Sequence, residues 1–152
     1  MSTIAAIRPD EWNLPLLVHV TGAMVLVGAL VTAVAALVAA RSSPAAPMRR
    51  IAFRPLLLGA LPSFVVMRGT AEWVFSEEDV DEDAVWIGIG FIVSDLGLLL
   101  LIAATVLAGL STRRARDATA DPGRLGRVSA ALIGVMLIGY SVAIWAMTAK
   151  PD

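Results

Sequence analysis

Long apolar runs broken by short polar punctuation dominate this chain. Positions 14–40 hold a single ionisable residue, His19, in 27 residues, and positions 84–110 hold one, Asp95, also in 27. Positions 125–148 hold only Arg127, close to their start. Positions 51–75 are interrupted near their ends by Arg54, Arg68 and Glu72. A helix needs roughly 20 predominantly apolar residues to span a bilayer. Three segments meet that requirement alone, and the second meets it with support from its neighbours. The pattern predicts an all-α, polytopic membrane protein: an antiparallel four-helix transmembrane bundle with spans at about 14–40, 51–75, 84–110 and 125–148.

Composition sharpens this reading. With 58% hydrophobic and 16% charged residues over 152 positions, the chain does not have the make-up of a soluble domain. Four spans and their loops leave no room for one either, so positions 1–152 read as a single transmembrane domain. There is no cysteine, which excludes disulfides, thiolate metal sites and cysteine nucleophiles. Lys150 is the sole lysine while arginine and alanine abound, a bias that suggests a bacterial source. The first 13 residues carry Arg8 but also Asp10 and Glu11, and the apolar run after them exceeds the 7–15 residues of a secretory signal core. A retained first span is expected.

Charge is segregated by loop. Positions 41–50 carry Arg41, Arg49 and Arg50, and positions 111–124 carry Arg113, Arg114, Arg116 and Arg124. Positions 76–83 carry six carboxylates and no basic residue. Lys/Arg bias in short loops sets topology, so the arginine loops are expected in the cytoplasm, with both termini and the acidic loop outside a bacterial inner membrane. The tryptophans agree. Trp12 precedes the first span, Trp73 ends the second, Trp86 begins the third and Trp145 ends the fourth. Four crossings bring all four to one headgroup layer, where indole is favoured; three or five would scatter them.

Proline and glycine fit the same frame. Pro15 stands in a first helical turn, Pro44 and Pro47 follow the first span, and Asp121-Pro122-Gly123 precedes the last. Pro62 lies within the second span and predicts a kink. Small residues four apart, as in Ala29/Ala33 and Ala130/Gly134, permit close helix contact in lipid.

A charge near the bilayer centre costs about 2.5–3.5 kcal/mol on insertion scales, so each one needs a reason. Counting about 1.5 Å per residue from the tryptophans puts His19 roughly 10 Å deep, Arg68 and Tyr140 roughly 7–8 Å, and Asp95 roughly 13–14 Å. One polar side chain from each span falls in a layer about 6 Å thick. His19, Arg68, Asp95 and Tyr140 are therefore candidates for ligand binding or proton relay, with Glu72 and Ser94 as a second tier. Plainer roles stand beside these. Arg68 and Glu72, spaced i,i+4, suit a surface pair, Tyr140 an interfacial aromatic, and His19 a neutral imidazole bonded to a carbonyl. Nothing in its own helix neutralises Asp95, which must face the interior, find a partner or be protonated. The acidic loop lacks the spacing and central glycine of a calcium-binding EF-hand and reads as a solvated turn. His19, Met24, Met67 and Met147 are the ligand types that favour Cu(I), although methionine in a membrane core is usually packing.

The first span reads Leu17-Val18-His19-Val20-Thr21-Gly22-Ala23-Met24-Val25-Leu26-Val27-Gly28-Ala29. It resembles the first helix of a loose group of small bacterial four-span proteins with a pattern like H-x-x-G-A-x-x-W-x-G-G. The group includes CopD-type copper-resistance domains, HemJ-like protoporphyrinogen oxidases and several integral membrane families. His19, Gly22, Ala23 and Gly28 match, while Leu26 stands at the tryptophan position and Ala29 at the last glycine. The HemJ-like resemblance implies a haem-associated histidine, with His19 as an axial ligand of haem b. The CopD-type resemblance implies copper handling.

Three functions are expected to compete. The first is a binding or transport module for a small ligand, proton or metal ion at the polar layer. The second is a haem-binding or redox module on His19. The third is a structural subunit of a homo-oligomer or membrane complex. No hydrolytic triad, phosphate loop or dinucleotide motif points to an enzyme of soluble type, and no motif points to nucleic acid.

Overall fold

Each long apolar run becomes a helix, because only internal hydrogen bonds can satisfy a backbone surrounded by hydrocarbon. A computed structural model describes residues 13–41, 45–77, 85–115 and 123–149. Helix α1 covers Asn13–Ala39, α2 Ala45–Pro55, α3 Leu61–Glu77, α4 Val85–Arg114 and α5 Gly123–Ala149. A π-helical turn, Leu56–Ala60, joins α2 to α3. Together they form one continuous second span, so four helices are long and apolar enough to cross a membrane. The protein is an all-α, multi-pass membrane protein. Trp73, Trp86 and Trp145 fall at one end of the bundle, the tryptophan end; Trp12 and positions 78–83 of the acidic loop lie outside the described residues.

Two expected boundaries move. Positions 45–50, read from sequence as loop, already belong to α2, so Arg49 and Arg50 are helical. Pro47 falls in the first turn of α2, where its missing N–H leaves no hydrogen bond unmade. Helix α4 likewise continues through Arg113 and Arg114, cations suited to the negative end of a helix dipole.

Pro62 acts through the turn before it. The prolines at 55 and 62 each remove a donor from the second span. Between them the ladder widens, and the Leu61 N–H bonds to the Leu56 carbonyl, five residues back.

Every helix buries one stripe of small and aliphatic residues. In α1 it runs through Gly22, Leu26, Leu30, Ala33 and Leu37, and in the second span through Ala52, Leu56, Ala60, Phe64 and Met67. In α4 it runs through Gly90, Gly97, Leu101, Ala104 and Ala108, and in α5 through Ser129, Ile133, Met136, Tyr140 and Ala143. Leu26, Leu30, Leu56, Leu101 and Ile133 are fully enclosed. Helix α1 packs mainly against the second span, and α4 mainly against α5. The pairs meet through α1 with α5 and through α2 with α4. Helix α3 touches α4 much less than α2 does, so the second span and α4 separate toward the tryptophan end.

At the opposite, arginine-rich end hydroxyls tie the helices, one of them between the pairs and one within a pair. Thr112 Oγ1 lies 3.2 Å from the Arg49 carbonyl, linking α4 to α2. Ser129 Oγ, fully buried, donates to the Ala104 carbonyl at 2.9 Å, linking α5 to α4. Such bonds between spans contribute roughly 0.6 kcal/mol on average in membrane proteins.

Candidate functional site

His19 points from α1 to α3. Its Nδ1 lies 2.9 Å from the carbonyl oxygen of Met67. A carbonyl only accepts, so Nδ1 carries the proton, and in the neutral ring Nε2 keeps the lone pair. Gly22, one turn on, makes this reach possible: a Cβ there would stand 3.2 Å from the Met67 amide nitrogen. The two backbones touch where other residues would hold them apart. Met67 O also accepts from Thr70 Oγ1 at 3.1 Å.

Arg68 follows Met67 and stands about 100° further round the helix, so it leaves the buried stripe for the flank facing α4. There it meets two carboxylates. Its Nη1 pairs with Glu72 Oε1, one turn toward the tryptophan end, and its Nη2 lies 3.8 Å from Asp95 Oδ1 on α4. The guanidinium carbon sits 4.7 Å from the centroid of the Phe91 ring, a cation–π contact. Phe91 meets Phe75 edge to face at 5.8 Å, closing the aromatic side of the cluster.

Asp95 does not face the interior. Its side chain is 71% exposed, against 25% for Arg68. Helical phase explains this: Asp95 precedes Gly97 by two residues, about 200° of rotation, and Gly97 lies on the buried stripe of α4. Of the three outcomes open to an intramembrane aspartate, burial is therefore not realised, whereas a partner is.

Tyr140 turns the other way, into the core. It is 7% exposed, and its hydroxyl is buried with no hydrogen-bond partner among the described residues. The ring lies on Gly97, where a Cβ would stand 2.6 Å from the Tyr140 oxygen. This is a core tyrosine, and the interfacial-aromatic reading does not describe its place.

The four residues thus do not enclose a common pocket. Arg68 and Asp95 come together with Glu72, and His19 joins them only through Met67, the neighbour of Arg68. Among the described residues no hydrogen bond or ion pair connects Tyr140 to them. Ser94 is half-buried beside Asp95. The ligand types for copper lie on different faces: Met67 against Gly22, Met147 against Gly90, and Met24 exposed. Among the described residues no three His, Asp or Glu side chains converge on a point that would hold a metal ion. Phe91 and Phe75 are the members that sequence reasoning missed. Phe91 lies one turn before Asp95, a spacing that could have shown it.

Compared with family models, curated proteins and solved structures, the chain matches none of them.

Proposed function

We propose that this multi-pass membrane protein is a binding or transport module for a proton or a small cation, taken up on its α3–α4 flank with Asp95 as the acceptor. One observation carries the reading: Asp95 is 71% exposed on a lipid-facing helix, 3.8 Å from an arginine already paired with Glu72. Two carboxylates share one guanidinium, which leaves one negative charge uncompensated at hydrocarbon depth. An ion there costs about 2.5–3.5 kcal/mol; a proton on Asp95, or a cation beside it, removes that cost. Phe91 lies against the guanidinium, 4.7 Å from its carbon, and walls the cluster on one side. In this reading the tryptophan end and both termini lie outside a bacterial inner membrane, supported by the segregation of arginine to the other loops.

The test is proton uptake by purified protein in liposomes carrying an internal pH dye, with infrared detection of a protonated carboxyl. Wild type is expected to move protons and to show a carboxylic acid band that Asp95→Asn removes. Identical flux and spectra for the two proteins reject the reading. A partner helix laid over the same flank, whether a second copy or another subunit, answers the same exposure. Dissociation of an oligomer in Asp95→Asn without proton flux in wild type speaks for that accessory role.

The His19 geometry favours a second reading. An imidazole whose Nδ1–H is held by a backbone carbonyl presents Nε2 as metal-binding histidines do. His19 is the single histidine, so haem iron held there would be five-coordinate, completed by a second ligand of another type, or shared between two copies. A Soret band in protein from its native membrane, lost in His19→Ala, is the expected result; colourless protein rejects it.

A further inference from the structure

A second feature lies at the arginine-rich end, on the same side of the bundle as the α3–α4 flank but in the other leaflet. Between α2 and α4 runs a groove of about 670 Å³. Arg50 and Arg54, one helical turn apart on α2, and Arg113, in the last turn of α4, supply its charge. Phe53, Leu57 and Leu110 supply apolar wall. Among the described residues no acidic side chain lines it.

We propose that this groove binds one anionic phospholipid, with its phosphate on Arg50, Arg54 and Arg113 and an acyl chain along the apolar wall. Charge decides the class of occupant. Three exposed arginines line one groove, and among the described residues its lining offers no counter-charge; guanidinium is the side chain best matched to phosphate oxygens. The order of chemistry decides the source. From Arg50 and Arg113 at the helix ends the lining passes inward through Phe53 and Arg54 to Leu57, Leu58 and Val106, charged toward the loops and apolar toward the core, the polarity profile of a lipid in its own leaflet. A free anion would leave the apolar wall unused.

Two local features build the groove. Gly109 has no side chain to hold Phe53 away: a Cβ there would stand 3.0 Å from the Phe53 ring. The π turn contributes Leu57, placed where the widened ladder rotates the second span. The Thr112 contact with the Arg49 carbonyl, 3.2 Å, holds α2 against α4 at the head of the groove.

Removing all three arginines would disturb the charge bias that orients the protein, so the test uses substitutions that keep most of it. Leu110→Glu, one turn before Arg113, puts a carboxylate among the guanidinium groups, and Arg54→Gln removes one of them. Full-length protein is placed in nanodiscs of phosphatidylcholine alone or with phosphatidylglycerol, and bound lipid is counted by native mass spectrometry. Wild type is expected to retain one phosphatidylglycerol and to melt higher in its presence. The preference should fall about fivefold in Arg54→Gln and vanish in Leu110→Glu. Arg127→Gln, on α5 and outside this groove, should leave it unchanged. Equal binding of both lipids, equal preference in all variants, or an effect reproduced by inorganic phosphate in phosphatidylcholine discs overturns the proposal. So does a wild-type dimer that the two groove variants dissociate.

Discussion

Gly22 and Met67 bring α1 and α3 together backbone to backbone, with space for a hydrogen atom but not for a methyl group at its ordinary distance. Gly22→Val should therefore push the two spans apart and lower stability by about 1–3 kcal/mol, the usual cost of overpacking. Gly28, which has no neighbour within 4 Å of a Cβ position, is the internal control. Gly28→Ala should melt no lower than wild type in the same detergent. Equal melting of all three proteins would show that the contact contributes nothing.

His19 depends on that approach. His19→Ala removes the bond to the Met67 carbonyl and should cost roughly 0.6–1.7 kcal/mol, the range found for hydrogen bonds between membrane spans. Added to Gly22→Val it should cost much less, because the separated helices have already lost the bond. A thermal melt of the double variant decides this, and strict additivity would contradict the coupling.

The Arg68 cluster predicts an asymmetry. Arg68→Gln leaves Glu72 and Asp95 facing each other without a cation, whereas Asp95→Asn leaves the Arg68–Glu72 pair intact. Arg68→Gln should be the more destabilising of the two, and adding Asp95→Asn to it should restore part of the loss. Chemical denaturation in mixed micelles, comparing the two single variants with the double, measures the difference. A double variant less stable than Arg68→Gln alone would contradict the shared-arginine geometry.

Tyr140 and Gly97 form the clearest pair for a mutant cycle. The buried hydroxyl has no partner among the described residues, and an unmade hydrogen bond of this kind costs about 1–3 kcal/mol. Tyr140→Phe should therefore raise stability rather than lower it. Gly97→Ala should destabilise wild type, where its methyl meets the hydroxyl, and do so less in Tyr140→Phe. Melting temperatures of the four proteins complete the cycle. A lower melting temperature for Tyr140→Phe would reveal a partner for the hydroxyl.

The four helices were legible in the sequence, and the direction of their side chains was not taken from it. Apolar length and the polar breaks give the number and order of the spans, and rise per residue gives the position of His19, Arg68, Asp95 and Tyr140 along them. Which way each side chain points depends on its angle from the buried stripe. For α4 that angle was already written in the sequence: Gly90, Gly97, Leu101, Ala104 and Ala108 are small or aliphatic at helical spacing, and Asp95 lies across from them. Arg68 is one step off its stripe and Tyr140 is on its own, so residues at one height part company. The π turn was less readable. Pro55 and Pro62 announce a disturbance, but whether the backbone bends or widens depends on packing against α1 and α4.

The filled middle of the bundle governs how anything could pass through this membrane protein. Leu26, Leu30, Leu56, Leu101 and Ile133 plug the axis with side chains that have no measurable exposure. Because Asp95 is exposed on the outer flank, an ion or proton taken up there in the proposed reading would come sideways, along the seam where α3 parts from α4. Traffic of that kind would be governed by the lipids and headgroups beside the seam, and blockers of an axial pore would not touch it.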